Sequence, residues 1–337
     1  MNTTALVEVD HLAMYFPITS GFFNKVTSHT RAVDGVSFAI RQGETLGLVG
    51  ESGSGKTTVG RCLARAYPPT GGELRYLRSD GEVVNLAGLP ESQLRPYRKE
   101  IRMIFQDPYS SLNPRMTVFD TVAEVLRVNG LAQGSELEDR VGRILHQVGL
   151  RREYMRRYPH AFSGGERQRI VIARALVTEP RLVIADEAVS ALDVSIRAQV
   201  LNLLEELRAT FNLTYLFISH DLSVVRHSCD RVVVMYVGKV VEVAETSKLF
   251  TQPSHPYTQA LLAAVPVHNP LHRAAGRRTQ LTGEVPDPSN PPSGCRFHPR
   301  CPFARERCRV EAPALRELPD ERAVACHFAE EIAAQVA

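Results

Sequence analysis

The sequence predicts an α/β fold in which short buried strands of a parallel sheet end in loops that carry polar chemistry, and three observations predict it. Gly50-Glu51-Ser52-Gly53-Ser54-Gly55-Lys56-Thr57 fits G-x-x-x-x-G-K-[ST] and lies between an apolar run, Thr45 to Val49, and a helical segment, Lys56 to Tyr67. Leu182 to Ala185 is a second apolar run and ends in the acids Asp186-Glu187. Leu213 to Ile218 is a third and ends in Ser219-His220-Asp221. Continuous apolar runs separated by helical spacing mark strands covered on both faces.

Composition sets the bounds. The chain has 337 residues, a formal charge of +3 and no Trp, enough for a large core and more than one domain, with no field that selects nucleic acid or anionic lipid. Met1 to His11 has no basic stretch followed by an apolar core, and no apolar run nears the roughly 20 residues that span a bilayer. The expectation is a soluble chain whose membrane role, if any, comes through a partner. Of six cysteines, Cys62 and Cys229 stand apart, whereas Cys295, Cys301, Cys308 and Cys326 crowd the tail. Without an export signal, such crowding favours metal over disulfides.

Taken in order, Val7, Val9, Leu12 and Met14 alternate up to Tyr15, and Val33 to Ile40 reads as a second strand, so an antiparallel sheet is expected before the phosphate loop. Tyr15 sits where an aromatic face can stack on a purine, or equally where a strand buries an aromatic. In the loop, Gly50, Ser52, Gly53, Ser54 and Gly55 let backbone N–H groups turn inward around a polyphosphate, Lys56 adds a cation, Thr57 a hydroxyl for Mg²⁺, and Thr58 extends the helix start. Glu73 to Asn85 is expected to form two short strands about the Asp80-Gly81 turn. The strand Ile101 to Phe105 opens into Gln106-Asp107-Pro108, and the Gln106 amide can meet a metal ion through oxygen while donating to water, or be a solvated loop residue.

From Met116 to Tyr158 the spacing turns helical, with breaks at Asn129-Gly130 and Gln133-Gly134, and predicts a helical insert between strands of the sheet. Ser163-Gly164-Gly165-Glu166 then starts another helix; Ser163 with Glu166 three positions on is a capping box, and two glycines at a helix start also suit a phosphate. Two phosphate-grasping helix starts for one phosphate loop suggest a site completed by a second polypeptide. Asp186 and Glu187, at the carboxyl end of a strand, suit Mg²⁺ and a water-activating base. His220 can donate to a phosphate oxygen or position the water. The strands Arg231 to Tyr236 and Lys239 to Val243, joined through Gly238, close the unit near Phe250.

Together these residues resemble the ATP-binding cassette family over about the first 265 residues. The resemblance implies a RecA-like P-loop NTPase core with an antiparallel β subdomain and an inserted helical subdomain at about 110–165, the cassette covering 1–250 and a cysteine-bearing extension 251–337. It implies ATP at Gly50 to Thr58, adenine on Tyr15, Gln106 coupling nucleotide to the transmembrane partner, a signature at Ser163, Gly164, Gly165 and Glu166, Mg²⁺ at Thr57, Gln106 and Asp186, hydrolysis by Glu187, Asp193 at a dimer interface and His220 as switch. The runs Ala32 to Phe38, Phe105 to Arg115 and His255 to Leu262 are similar to the dipeptide and oligopeptide importer branch, and Pro114 to Val118 to its second ATPase subunit. That implies partnership with a different second ATPase, two permeases and an extracytoplasmic substrate-binding protein, at the cytoplasmic face of the membrane. Two residues depart from the family pattern: Glu166, where Gln is commonest, and Ala188, where Pro commonly follows the catalytic acid.

The tail spacing is C-x5-C-x6-C-x17-C. With no C-x2-C pair, four thiolates suit a [4Fe–4S] cluster or an all-cysteine Zn²⁺ site, or stay as packed thiols, and His298 and His327 are substitute ligands. The tail resembles the cysteine region of the same importer branch, some members of which carry an iron–sulfur cluster. Two alternatives remain open on sequence: a soluble cassette ATPase acting on nucleic acid, and a regulatory subunit whose tail senses redox state.

Overall fold

The computed structural model describes residues 4–21, 25–107, 111–264 and 283–336. Pro108 to Ser110, where the expected insert begins and part of the importer-like run falls, and 265–282 of the extension lie outside them. In chain order the strands are β1 (Ala5–Ser20), β2 (Lys25–Arg41), β3 (Thr45–Val49), β4 (Gly71–Leu77), β5 (Val83–Asn85), β6 (Ile101–Ile104), β7 (Leu182–Asp186), β8 (Thr214–Ile218), β9 (Arg231–Tyr236), β10 (Lys239–Glu245), β11 (Arg316–Glu317) and β12 (Ala323–Val324). The helices are α1 (Lys56–Leu63), α2 (Glu91–Glu100), α3 (Val118–Asn129), α4 (Gly134–Gln147), α5 (Gly164–Leu176), α6 (Val194–Phe211), α7 (Leu222–Ser228), α8 (Thr246–Thr251), α9 (Pro256–Ala263), α10 (Glu306–Val310) and α11 (Ala329–Val336). The chain forms two compact units, one of Met1–Thr4, Ile40–Thr45 and Gly88–Ile218, the other of Ala5–Ala39, Leu46–Ala87 and Ser219–Ala337.

In the first unit β6 pairs with β7 and β7 with β8, both parallel. Every residue of β7 and β8 is buried, which is why these segments read as unbroken apolar runs rather than alternating ones. The helical insert follows its spacing. Thr117 caps α3 by accepting from the Asp120 N–H, and Gly130 ends the helix in the left-handed region at φ 66°. The faces bearing Val122, Val125 and Leu126 on α3 and Val141, Ile144 and Leu145 on α4 are buried, each such side chain contributing about 1.5–3 kcal/mol relative to exposure. The helix expected to start at Ser163-Gly164-Gly165-Glu166 begins at Gly164, with Ser163 as its cap.

In the second unit β2, β1, β4 and β5 form an antiparallel sheet in that order. Both first strands are longer than the alternation up to Tyr15 and the run Val33 to Ile40 suggest: β1 runs on to Ser20 and β2 begins at Lys25. Val7 pairs with Tyr76 and Val9 with Leu74, and a bulge between Asp10 and Ala13 shifts the register. His11 takes φ 47° there. The bulge explains why the buried positions change from odd, Val7 and Val9, to even, Leu12 and Met14. A second sheet places β3 parallel to β9, β9 antiparallel to β10, and β12 antiparallel to β10. The extension therefore adds strands to the sheet that carries the phosphate loop. Tyr236 of β9, Tyr257 of α9 and Phe297 of the cysteine segment pack with ring centroids 4.6–5.5 Å apart, fastening the extension through an aromatic cluster.

Candidate active site

The phosphate loop leaves β3, all of whose residues are buried, and ends at Lys56. Gly50 and Gly55 have φ 151° and 102°, and a Cβ on either would lie 2.2 Å from a backbone oxygen, of Met235 and Ala32 respectively. No other residue fits there. The Lys56 ammonium donates to Gly50 O at 2.8 Å, Glu51 O at 2.9 Å and Ser54 Oγ at 3.4 Å. The Gly238 N–H donates to Ser54 O at 2.9 Å, so the turn between β9 and β10 holds the loop closed. No side chain caps α1, which leaves its first-turn N–H groups directed at the loop with the positive end of the helix dipole. Ser52 and Gly53 are exposed, and Thr57 and Thr58 half-buried. This is a preformed anion cradle with a cation at its centre.

Tyr15 is half-exposed, so it is not the core aromatic of the blander reading. Its hydroxyl donates to Asp34 Oδ1 at 2.5 Å. Asp34 also pairs with Lys239 at 3.4 Å and with Arg296. Burial pushes the Asp34 carboxyl up, but the Tyr15 hydrogen bond and the charges of Lys239 and Arg296 outweigh it and hold the group below its ordinary value. His220 is exposed, one residue beyond Ser219, whose N–H donates to Leu48 O at 3.2 Å.

The first unit supplies the second group of residues. Asp186, 4% exposed, ends β7, and Glu187 turns out of the strand in the left-handed region at φ 49°. A non-glycine residue there costs about 1 kcal/mol or more. It is held by its N–H to Ile218 O at 3.0 Å and by Ser190, whose N–H and hydroxyl both donate to Glu187 O, at 3.0 and 2.9 Å. The Gln106 amide donates to Glu187 Oε2 at 2.8 Å. At the start of α5, Ser163 Oγ accepts from the Glu166 N–H at 3.3 Å, and Glu166 Oε2 accepts from the Ser163 N–H at 2.9 Å and hydroxyl at 2.8 Å. The capping box forms as its sequence predicts. The Ser163 backbone bond, with its hydroxyl bond, holds the Glu166 carboxyl below its ordinary value. Asp193 is exposed at the start of α6 and makes no side-chain cap.

Cys295, Cys301, Cys308 and Cys326 line one small pocket together with His298, His327 and Phe297. None of the six cysteines is in a disulfide. Burial pushes the thiols of Cys295 and Cys301 up, to about 11 and about 12, and that of Cys326 up as well. Among the described residues no group of three His, Cys, Asp or Glu is arranged to hold a metal ion. The four-thiolate ligand set expected from the spacing, for a [4Fe–4S] cluster or for Zn²⁺, is thus not preassembled among the described residues.

Several residues at the phosphate loop escape sequence reasoning. Tyr257 and Arg300 reach it only through tertiary contacts, as Asp34 reaches Tyr15 and Arg296 reaches Asp34. The available signal was an arginine beside each of Cys295 and Cys301, and one carboxylate, Glu51, inside a phosphate-binding loop.

A glycine cradle with a buried lysine, and a strand-end acid pair reached by a glutamine, define a nucleotide-hydrolysing α/β protein. Residues 33–190 match the family described as ABC transporter, and 241–308 match the oligopeptide/dipeptide transporter C-terminal region. The chain is 50% identical over 328 residues to an oligopeptide transport ATP-binding protein, AppF, of Bacillus subtilis, covering 97% of this chain and 98% of that one. It is 47% identical to a di/tripeptide transport ATP-binding protein, DppF, of Pseudomonas aeruginosa, covering 95% and 96%. Among solved structures, a dimeric ATP-binding cassette, MJ0796, in a post-hydrolysis state with ADP and Pi aligns at TM-score 0.61 and 26% identity over 71% of this chain and 98% of that one. CbiO1 of Clostridium perfringens aligns at 0.62 and 25% over 74% and 91%. The chain belongs to the ATP-binding cassette transporter family, and it is an ATP hydrolase of that family. No helix among the described residues is long and apolar enough to cross a membrane.

Proposed function

We propose that this chain energises the import of dipeptides or oligopeptides by binding and hydrolysing ATP at the cytoplasmic face of the membrane. The observation that carries this is the 50% identity, sustained over 97% of the chain, to an oligopeptide transport ATP-binding protein. The match of 241–308 to the peptide-transporter C-terminal region supports it independently. In this reading the cassette is 1–250, its helical insert about 110–165, and the extension 251–337. The partners are a second, different ATPase subunit in head-to-tail contact, two permeases and an extracytoplasmic substrate-binding protein.

The chemistry follows from the residues. Lys56 and the loop amides stabilise the charge that spreads over the transferring phosphoryl. Thr57, Asp186 and Gln106 would hold Mg²⁺, which when bound neutralises phosphate oxygens. Glu187 accepts the proton of the attacking water, and Gln106 and His220 orient that water. Tyr15 stacks on adenine, with Asp34 fixing the tilt of its ring through the hydroxyl. Ser163, Gly164, Gly165 and Glu166 present a helix start to the nucleotide of the partner ATPase, and Asp193 lies at that contact. For the cysteine pocket we propose that Cys295, Cys301, Cys308 and Cys326 would hold a [4Fe–4S] cluster; that the four line one pocket supports this. Glu187→Gln purified with ATP from native membranes should bring two multi-span permeases and a second ATPase. Recovery of soluble partners or nucleic acid alone would discard the importer reading.

A further inference from the structure

A guanidinium of the extension reaches the phosphate loop. Arg300, between Cys295 and Cys301, donates from Nη1 to Glu51 Oε2 at 2.7 Å and from Nη2 to Glu51 Oε1 at 3.1 Å. The Arg300 side chain is 6% exposed and that of Glu51 24%. Arg300 Nη1 also donates to the Tyr236 hydroxyl at 3.3 Å. Glu51 is fixed at two further points: its N–H donates to the Tyr257 hydroxyl at 2.9 Å and its carbonyl accepts from Lys56 Nζ at 2.9 Å. The cysteine segment is fastened a second time by Arg296, which bonds Val237 O and Asp34. The guanidinium of Arg300 is therefore delivered from a braced turn.

Glu51 poses a problem for an anion cradle. It is the one carboxylate between Gly50 and Thr57, next to the lysine that has to face a polyphosphate, and like charges at short range in a partly dry site repel strongly. A planar, permanently charged fork bound to both carboxylate oxygens cancels that charge at its source. Lysine, a single flexible point charge, would do so less completely.

We propose that Arg300 is a positioning residue for ATP: it neutralises Glu51 and locks the loop, so that the Lys56 charge is left to the nucleotide phosphates. The inference rests on the reading of residues 50–57 as the ATP site. It differs from a plain structural brace in one respect: removing the acid together with the arginine should repair the defect.

The test uses the full chain in its assembled transporter. Arg300→Gln should raise the KM for ATP about tenfold with kcat near the parent value. The loss of affinity should shrink from ATP to ADP to AMP, and shrink again at high salt, because it is a repulsion between charges. Arg300→Lys should fall between. Glu51→Gln/Arg300→Gln should return ATP affinity to within about twofold of the parent. Glu51→Gln, which keeps the arginine and loses the acid, should bind ATP several-fold more tightly than the parent, and it reads the proposal even if the Arg300 variants fail to fold. A double variant as weak as Arg300→Gln, an equal loss for AMP and ATP, or unchanged affinity in Glu51→Gln would each overturn the proposal. Lys56→Ala is the control for the site: normal ATP binding there would discard the loop assignment itself, whatever Arg300 does.

Discussion

The Gln106 amide donates to the Glu187 carboxylate at 2.8 Å, which ties the loop after β6 to the strained residue after β7. The bond orients the Glu187 carboxylate through a neutral donor. A base so held needs both its carboxylate and its aim. Glu187→Gln should keep ATP binding and lose hydrolysis by about 10²–10⁴-fold. Gln106→Ala should lower kcat by about tenfold with a smaller change in KM. Phosphate release and nucleotide binding, measured side by side, check both; parent-level turnover in Glu187→Gln would remove Glu187 as the base.

Glu166 is spent on its own helix start, where it accepts from both the N–H and the hydroxyl of Ser163. Its departure from the family's usual Gln should therefore be tolerated in either direction, since both side chains complete the capping box. Glu166→Gln should hydrolyse ATP within about twofold of the parent, and Glu166→Ala should lower stability by about 1 kcal/mol. The pH dependence has a sign. A carboxyl held below its ordinary value contributes stability that is present above that ordinary value and is lost as pH falls through the lowered one. The gap in melting temperature between parent and Glu166→Ala should accordingly close in acid; a gap that widens there would refute the account.

The residues legible in the sequence are those whose chemistry is local. The cradle, the strand-end acids, Gln106 and the capping box each carry their pattern within a few positions, because a phosphate loop or a helix start is a local conformation. Strand ends after β7 and β8 were readable for the same reason: fully buried strands leave unbroken apolar runs. What sequence could not show lies in tertiary pairing. Asp34 reads as an ordinary strand acid until Tyr15, Lys239 and Arg296 converge on it. The bulge at Asp10 to Ala13 inverts an alternation that looked merely imperfect. The C-terminal segment reads in sequence only as a cysteine-bearing extension, yet β12 pairs with β10, and Arg300 lies against the phosphate loop.

The cavity of the four tail cysteines sets a compositional prediction. A thiol ligates a metal only as the thiolate, and the metal itself drives that loss of the proton. Anaerobic purification should yield about four iron and four sulfide per chain, as a [4Fe–4S] cluster requires, and Cys301→Ser should lose most of both. Fewer than one metal of any kind per chain would leave the cysteines as packing residues.

His255 gives the sharpest pH prediction. It is 1% exposed, its Nδ1 accepts from the Tyr257 N–H at 3.0 Å as the cap of α9, and its own N–H donates to Glu242 Oε2 at 2.9 Å. Burial pushes the imidazole down to about 3 from 6.5, against a smaller opposing bond to the Ala325 backbone. The unfolded chain takes up a proton near 6.5 that the folded chain refuses, so the stability of this site is full above that value and falls as pH drops toward 3. The loss at pH 5 amounts to about 2 kcal/mol. Glu242 works in the opposite sense, because burial raises its carboxyl despite bonds from Thr258, Ser254 and His255. The informative quantity is therefore the difference between the parent and His255→Gln, whose amide oxygen can still accept from Tyr257 but does not titrate. Denaturation midpoints of the two proteins should diverge at pH 7.5 and converge by about pH 5 as the parent loses its advantage. Parallel pH profiles for the two proteins would show that His255 stays neutral in the unfolded chain's range for some other reason, and would end this account.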